Sequence, residues 1–215
     1  METKITITLD QARSWFRSGN DELMGLALQA FGKEALMSSF RDITTFEKAC
    51  EALGLNYYDM ACMARKIATI SKASAAMFKL NIIRKALNLG QDLHLTKDPK
   101  DSYPYYPYNP FVTKSSTYYK SEINSGKMEV IGKIKSEGEE YSVLGGDAGF
   151  GGSAGLGSFR PNLGVGTAYA YIGFLGCASK EIAKHFGKYF GMLITTAKYA
   201  DIIKDFEIIE SKYII

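Results

Sequence analysis

The stretch Met128–Leu144, MEVIGKIKSEGEEYSVL, decides the fold class. Its two arms alternate apolar and polar residues in the manner of strands, and Ser-Glu-Gly-Glu between them supplies a turn, which together spell a β-hairpin. Apart from a short edge strand near the start, the chain before Gly90 reads as helices. A hairpin at this point therefore makes the chain α+β: a helical N-terminal half packed against a smaller, Gly-rich, β-containing C-terminal half. Residues 1–92 form the helical region and residues 93–215 the aromatic and Gly-rich β region, either as two units or as one single domain.

Downstream of the hairpin, Gly145–Gly176 holds eleven of the chain's 21 glycines. Glycine lets a backbone or ligand approach closely. The run does not make a nucleotide loop, because no helix opens directly after its glycines and no Gly-Lys-Ser/Thr ends it. It reads as irregular turns and tight β packing, with a short strand within Ala168–Leu175. Ser179 then caps a helix over Lys180–Lys198, which closes the C-terminal half. Ala183, Gly187 and Gly191 share one face of it, at a spacing that lets a strand or helix pack very near. The tail from Asp205 closes a sheet edge.

Upstream lies the aromatic-proline stretch Ser102–Phe111, SYPYYPYNPF. Its prolines fix φ and remove backbone donors, so Tyr103–Pro110 is expected as an ordered, extended loop rather than a regular element. Tyr103, Tyr105, Tyr106, Tyr108 and Phe111 cannot all point inward from so short a segment. Two readings stand for these rings. They form a contact surface for a protein partner or small ligand, extended by Tyr118 and Tyr119, with Arg160 and Asn162 adding polar contacts; or they cover the join between the two halves.

The N-terminal half is punctuated by caps. Lys4–Leu9 alternates like a short edge strand, and Thr8 with Gln11 then forms a capping box for a first helix. Asn20 caps a second, with Asp21 and Glu22 in its first turn. Thr44 with Glu47 caps a third, stopped by Gly54. Further helices are expected over Asp59–Ile70 and Ser71–Leu89. The last of these carries Lys79, Arg84 and Lys85, which read as a solvated outer face in preference to an anion-binding one.

Composition narrows the function classes. A formal charge of +3, with charges interspersed, argues against a dedicated nucleic-acid binder. An apolar share of 46% is enough for a sizeable core, and no apolar stretch reaches the roughly 20 residues needed to span a bilayer. The N-terminus lacks the features of a signal peptide. Cys50, Cys62 and Cys177 contain no CxxC pair and read as buried thiols in a reducing compartment. His94 and His185 form no metal-ligand pairing, and Cys177 and His185 are too far apart for a local nucleophile and base. Glu137, Glu139 and Glu140 crowd the hairpin tip as solvated charges. No catalytic residue, metal site or cofactor is expected.

Four segments carry a resemblance: ITITLDQARSWFRSGNDELMGLALQAF, ASAAMFKLNIIRKALNLG, YPYYPYNPF and CASKEIAKHFGKYFGMLI. Together they resemble an uncharacterised protein family of Bacteroidetes phages and prophages. In that family a helical N-terminal part, a "YYPW"-like segment and a "SKEIAEHFGKxF"-type helix follow in this order. The present chain departs in its charge balance and its longer Gly-rich insert. The resemblance implies a phage-encoded protein in the cytoplasm of the infected bacterial host, or one in the virion. The expected function is a non-enzymatic accessory protein that binds a host factor, as in anti-defence, or sequesters a small ligand. The alternative is a virion structural protein, with the aromatic and Gly-rich segments as interfaces of a homo-oligomer.

Overall fold

A computed structural model of the chain describes residues 6–17, 20–36, 39–88, 107–113, 120–146, 169–171 and 175–213. Its helices begin where side chains satisfy the exposed amides of a first turn. The Thr8 amide donates to Gln11 Oε1 at 3.0 Å and the Gln11 amide to Thr8 Oγ1 at 3.2 Å, the reciprocal bonding of a capping box. This opens α1 (Leu9–Arg17). Residues 6–8 are irregular and Leu9 is already helical, so the edge strand expected over Lys4–Leu9 gives way to the cap there.

Asn20 Oδ1 accepts the amides of Glu22 and Leu23 and starts α2 (Asp21–Leu36), which is interrupted at Gly32, where φ is 74°. The two helices form a hairpin around their own small core of Ala12, Ala27 and Leu36, against which Trp15, Phe16 and Phe31 pack.

After a 3-10 turn at Phe40–Asp42 comes α3 (Phe46–Ala52). Its cap is Thr45, which accepts the Lys48 amide at 3.2 Å, and not Thr44 as the Thr44/Glu47 spacing implied. One hydroxyl suffices to satisfy a first-turn amide, so the acidic partner does not fix the register. Gly54 takes a left-handed φ of 67° and turns the chain into α4 (Tyr57–Ala68), capped by Asn56. Ser71 caps α5 (Lys72–Leu87). These bounds lie within two residues of those read from the sequence.

The β half comprises β1 (Tyr108–Thr113), a short α6 (Lys120–Asn124), β2 (Met128–Ser136), β3 (Glu139–Gly146) and β4 (Tyr169–Tyr171). It continues through α7 (Lys180–Tyr199) to β5 (Glu207–Ser211). The strands make one antiparallel sheet in the order β4-β1-β3-β2-β5. The hairpin of the central stretch is β2–β3, turning at Glu137-Gly138 with both residues at positive φ. The C-terminal tail does close the sheet edge, as β5.

Tyr108–Pro110 lies inside β1, against the expectation of a loop. The strand tolerates proline because it changes partners there: Tyr108, Asn109 and Pro110 pair with β4, while Phe111, Val112 and Thr113 pair with β3. A ladder that ends on one side beside the proline loses little from its missing donor.

Helix α7 lies across the sheet and also against α5, so its two sides serve two cores. With α3 and α5 it buries Cys50, Leu80, Ile83, Cys177, Phe186, Leu193 and Ile194, in the largest cluster of the described residues. Toward the sheet, Met192 meets Ile131, Ile134 and Val143. The larger core thus joins the two regions on either side of residue 92.

Ala183, Gly187 and Gly191 do mark a close approach. A side-chain carbon on Gly191 would stand 2.6 Å from Asn109 Nδ2, and one on Gly145 of β3 would stand 2.8 Å from Ile131 Cγ2. Ile131 reaches this seam because the β2–β3 register shifts around it, a bulge that re-aims one side chain.

Candidate functional site

Three capped helices frame a groove. α3, α4 and α5 pack on one another and α5 packs on α7, and many of the residues that line the space between them are small: Ala61, Ala64 and Ala68 of α4, Ala75 and Ala76 of α5. The short side chains leave an open groove of about 560 Å³. Leu193 and Thr196 of α7 complete its lining. That volume falls in the range of small-molecule sites, roughly 300–1,000 Å³.

One part of the groove is aromatic. Phe46 meets Tyr57 at 6.0 Å between centroids, and Tyr57 meets Tyr58 at 5.6 Å, both edge to face. Phe46 is buried, whereas Tyr58 is 78% exposed. The ladder therefore climbs from the core to the surface and leaves its outermost ring exposed to solvent.

The charged residues of the lining are mostly cationic: Arg65, Lys72 and Lys79, against the single acid Glu47. Lys79 is half-buried, its ammonium 5.7 Å from the Phe46 centroid. Burial lowers its pKa below the ordinary lysine value. Lys72 has Asp201 nearby. The Asp201 carboxylate accepts bonds from the Ser71 hydroxyl and the Ala73 amide, and those bonds, the Ser71 one foremost, lower its pKa. Among the described residues Lys79 and Arg65 have no carboxylate within ion-pair distance. The expectation that Lys79 belongs to a solvated outer face is thus corrected: α4 and α3 flank it and turn that side of α5 into a wall.

The residues singled out by sequence fall elsewhere. Tyr103, Tyr105, Tyr106, Tyr118, Tyr119, Arg160 and Asn162 lie outside the described residues, as does most of the Gly-rich run. Tyr108 is placed by its backbone, opposite Tyr171 in the β1–β4 ladder. Phe111 is half-buried, 5.3 Å from the Tyr199 ring, and packs against the cores on both sides of α7. It covers the join between helices and sheet.

Polar groups in the interior act as fasteners. His185 Nε2 meets the Ile43 carbonyl at 2.7 Å, with its ring against Phe40 and Tyr189. Burial lowers its pKa below the ordinary histidine value. Asn88, at the end of α5, donates to the carbonyls of Arg84 and Gly176 and accepts the Ala178 amide at 2.8 Å. Cys50 and Cys177 are buried; burial pushes the Cys177 thiol up to about 12, far from a reactive thiolate. Cys62, expected to be buried like the other two, is instead exposed on α4. Glu137, Glu139 and Glu140 are exposed at the hairpin tip.

A second cluster ties down the chain after β5. Glu129 receives Lys212, Lys188 at 3.3 Å and the Tyr213 hydroxyl at 3.1 Å. Partial burial raises the Glu129 carboxyl, but these partners more than offset it and leave its pKa lowered. Burial, then the bond to Glu129, pushes Tyr213 up to about 12.

Among the described residues no group of three or more His, Cys, Asp or Glu side chains could hold a metal ion, and no helix is long and apolar enough to cross a membrane. The only sequence trace of the groove is the alanine spacing of α4 and α5, which is also the pattern of ordinary helix packing. No protein-family model, curated protein or solved structure matches the chain.

Proposed function

We propose that this protein is a non-enzymatic binding protein that sequesters a small ligand in the groove between α3, α4, α5 and α7. One observation carries the reading: an open groove of about 560 Å³ whose lining combines a ladder of rings, a floor of methyl groups and unneutralised cations. These groups hold a molecule by stacking, apolar contact and charge. The resemblance to phage and prophage proteins supports the setting, a phage accessory protein acting in the cytoplasm of an infected bacterium. Of the two targets expected for such a protein, a host factor and a small ligand, the concavity favours the ligand.

The test is retention. Protein purified from the infected host is denatured, and released small molecules are identified by mass spectrometry, beside a variant in which Ala68→Trp fills the groove. Ala68 is exposed, so the variant should fold with nearly the same melting temperature. A ligand held by the wild type and lost from the variant supports the reading. Equal retention by both, or none by either, sinks it.

A further inference from the structure

We infer that the groove's ligand is an anion with a flat apolar body, its negative group held at Lys79 and its body lying along Tyr57 over the alanine floor. The inference rests on the groove being a ligand site and goes on to its chemistry.

Charge sets the first half of the argument. Lys72 already has Asp201 beside it, and Glu47 is the one acid in the lining. Lys79 and Arg65 are left without a carboxylate among the described residues. A cation half-removed from water costs stability unless something faces it. The Phe46 ring beneath the ammonium supplies part of that compensation. It leaves the side of Lys79 toward the groove for a carboxylate, sulfonate or phosphate group.

Shape sets the second half. Ala61, Ala64 and Ala68 recur at helical spacing along α4, and Ala75 and Ala76 of α5 line the groove with them. Such walls admit a slab better than a branched or globular group, and the Tyr57 ring offers it an apolar partner. A planar ring system bearing one acidic group satisfies both halves.

The probe is anilinonaphthalene sulfonate, compared with phenylnaphthylamine, which has the same rings without the sulfonate. Fluorescence titration of the full chain should show one sulfonate dye per chain, with the neutral dye bound about tenfold more weakly. Lys79→Met, which keeps the stem packed on Phe46, should weaken the sulfonate dye about tenfold and leave the neutral dye unchanged. Lys79→Arg should restore the difference between the dyes. Unfolding curves confirm that each variant is folded. Equal binding of the two dyes, unmoved by Lys79→Met but abolished by Ala68→Trp, overturns the anion inference and leaves the groove as a ligand site. No binding of either dye, or binding that Ala68→Trp leaves intact, overturns both.

Discussion

The carboxamide of Asn109 occupies the space in which a side chain on Gly191 would stand. Asn109 is wholly buried; its Nδ2 donates to the Leu144 carbonyl of β3 at 2.9 Å and the Gly187 carbonyl of α7 at 3.1 Å. One side chain from β1 thus bridges a neighbouring strand and the helix above it. The bridge requires the helix to be bare at Gly191.

Gly191→Ala should destabilise the protein although alanine favours helix by about 1 kcal/mol. The added carbon meets Asn109 and Ile131 together, and overpacking of this kind costs about 1–3 kcal/mol beyond that gain. Urea unfolding of Gly191→Ala, Asn109→Ala and the double variant should give a double cost smaller than the sum of the single ones, because removing the carboxamide vacates part of the space. Strict additivity would show that the two residues do not compete.

Asn109→Asp should be far worse than Asn109→Ala. The amide donates to two carbonyls, and a carboxylate offers only acceptors to them in a site without water access. Loss of the two bonds costs about 2–3 kcal/mol in the alanine variant. The aspartate variant adds a buried charge or a forced protonation and should fail to fold at neutral pH. An aspartate variant as stable as the alanine one would contradict the bonding described.

His185 links stability to pH. Burial, with help from Lys188 and Arg41, depresses its folded pKa; the bond to Ile43 and the charge of Asp42 oppose this without reversing it. The unfolded chain therefore binds the proton more tightly. The contribution is complete above the unfolded value of about 6.5 and is lost as pH falls toward the lower folded value. Unfolding free energy should drop between neutral pH and mildly acidic pH in the wild type, and His185→Gln should flatten that slope. A slope equal in both would assign the effect to other groups.

Glu129→Gln should loosen the end of the chain without unfolding it. The carboxylate is one-third exposed, so the loss should be about 1 kcal/mol, within the range of partly solvated ion pairs and charged hydrogen bonds. The sharper readout is Tyr213. Its ionisation near 12, followed by NMR of labelled tyrosine, should move down toward the ordinary phenol range in the variant, while burial holds it from returning fully. An unmoved Tyr213 would mean that burial alone accounts for its shift.

The α+β division, the caps at Thr8, Asn20 and Ser179, the β2–β3 hairpin and the bare face of α7 were all legible in the chain, because each depends on residues a few positions apart. The shift from Thr44 to Thr45 shows the limit of that logic where two equivalent caps adjoin. Pro110 was misleading because its effect depends on which neighbour β1 has at that point, and only the sheet order decides this. The groove was not legible. It gathers residues from Thr45 to Thr196, and Lys79 acquires its meaning from Phe46 on another helix, a proximity that no spacing along the chain encodes.

Asn88 has a further consequence. It joins the last turn of α5 to Gly176 and Ala178, so the chain leaves the helical core and re-enters it at one point. The sheet strands β1 to β4 hang between as an excursion whose two ends are already clasped. Closing a longer excursion costs only about 0.6 kcal/mol for each doubling of its length. Extra residues placed between α5 and β1, or between β3 and β4, should therefore leave the α5–α7 pairing and the groove beside it in place. The groove and the length of those two connections can then vary independently of each other.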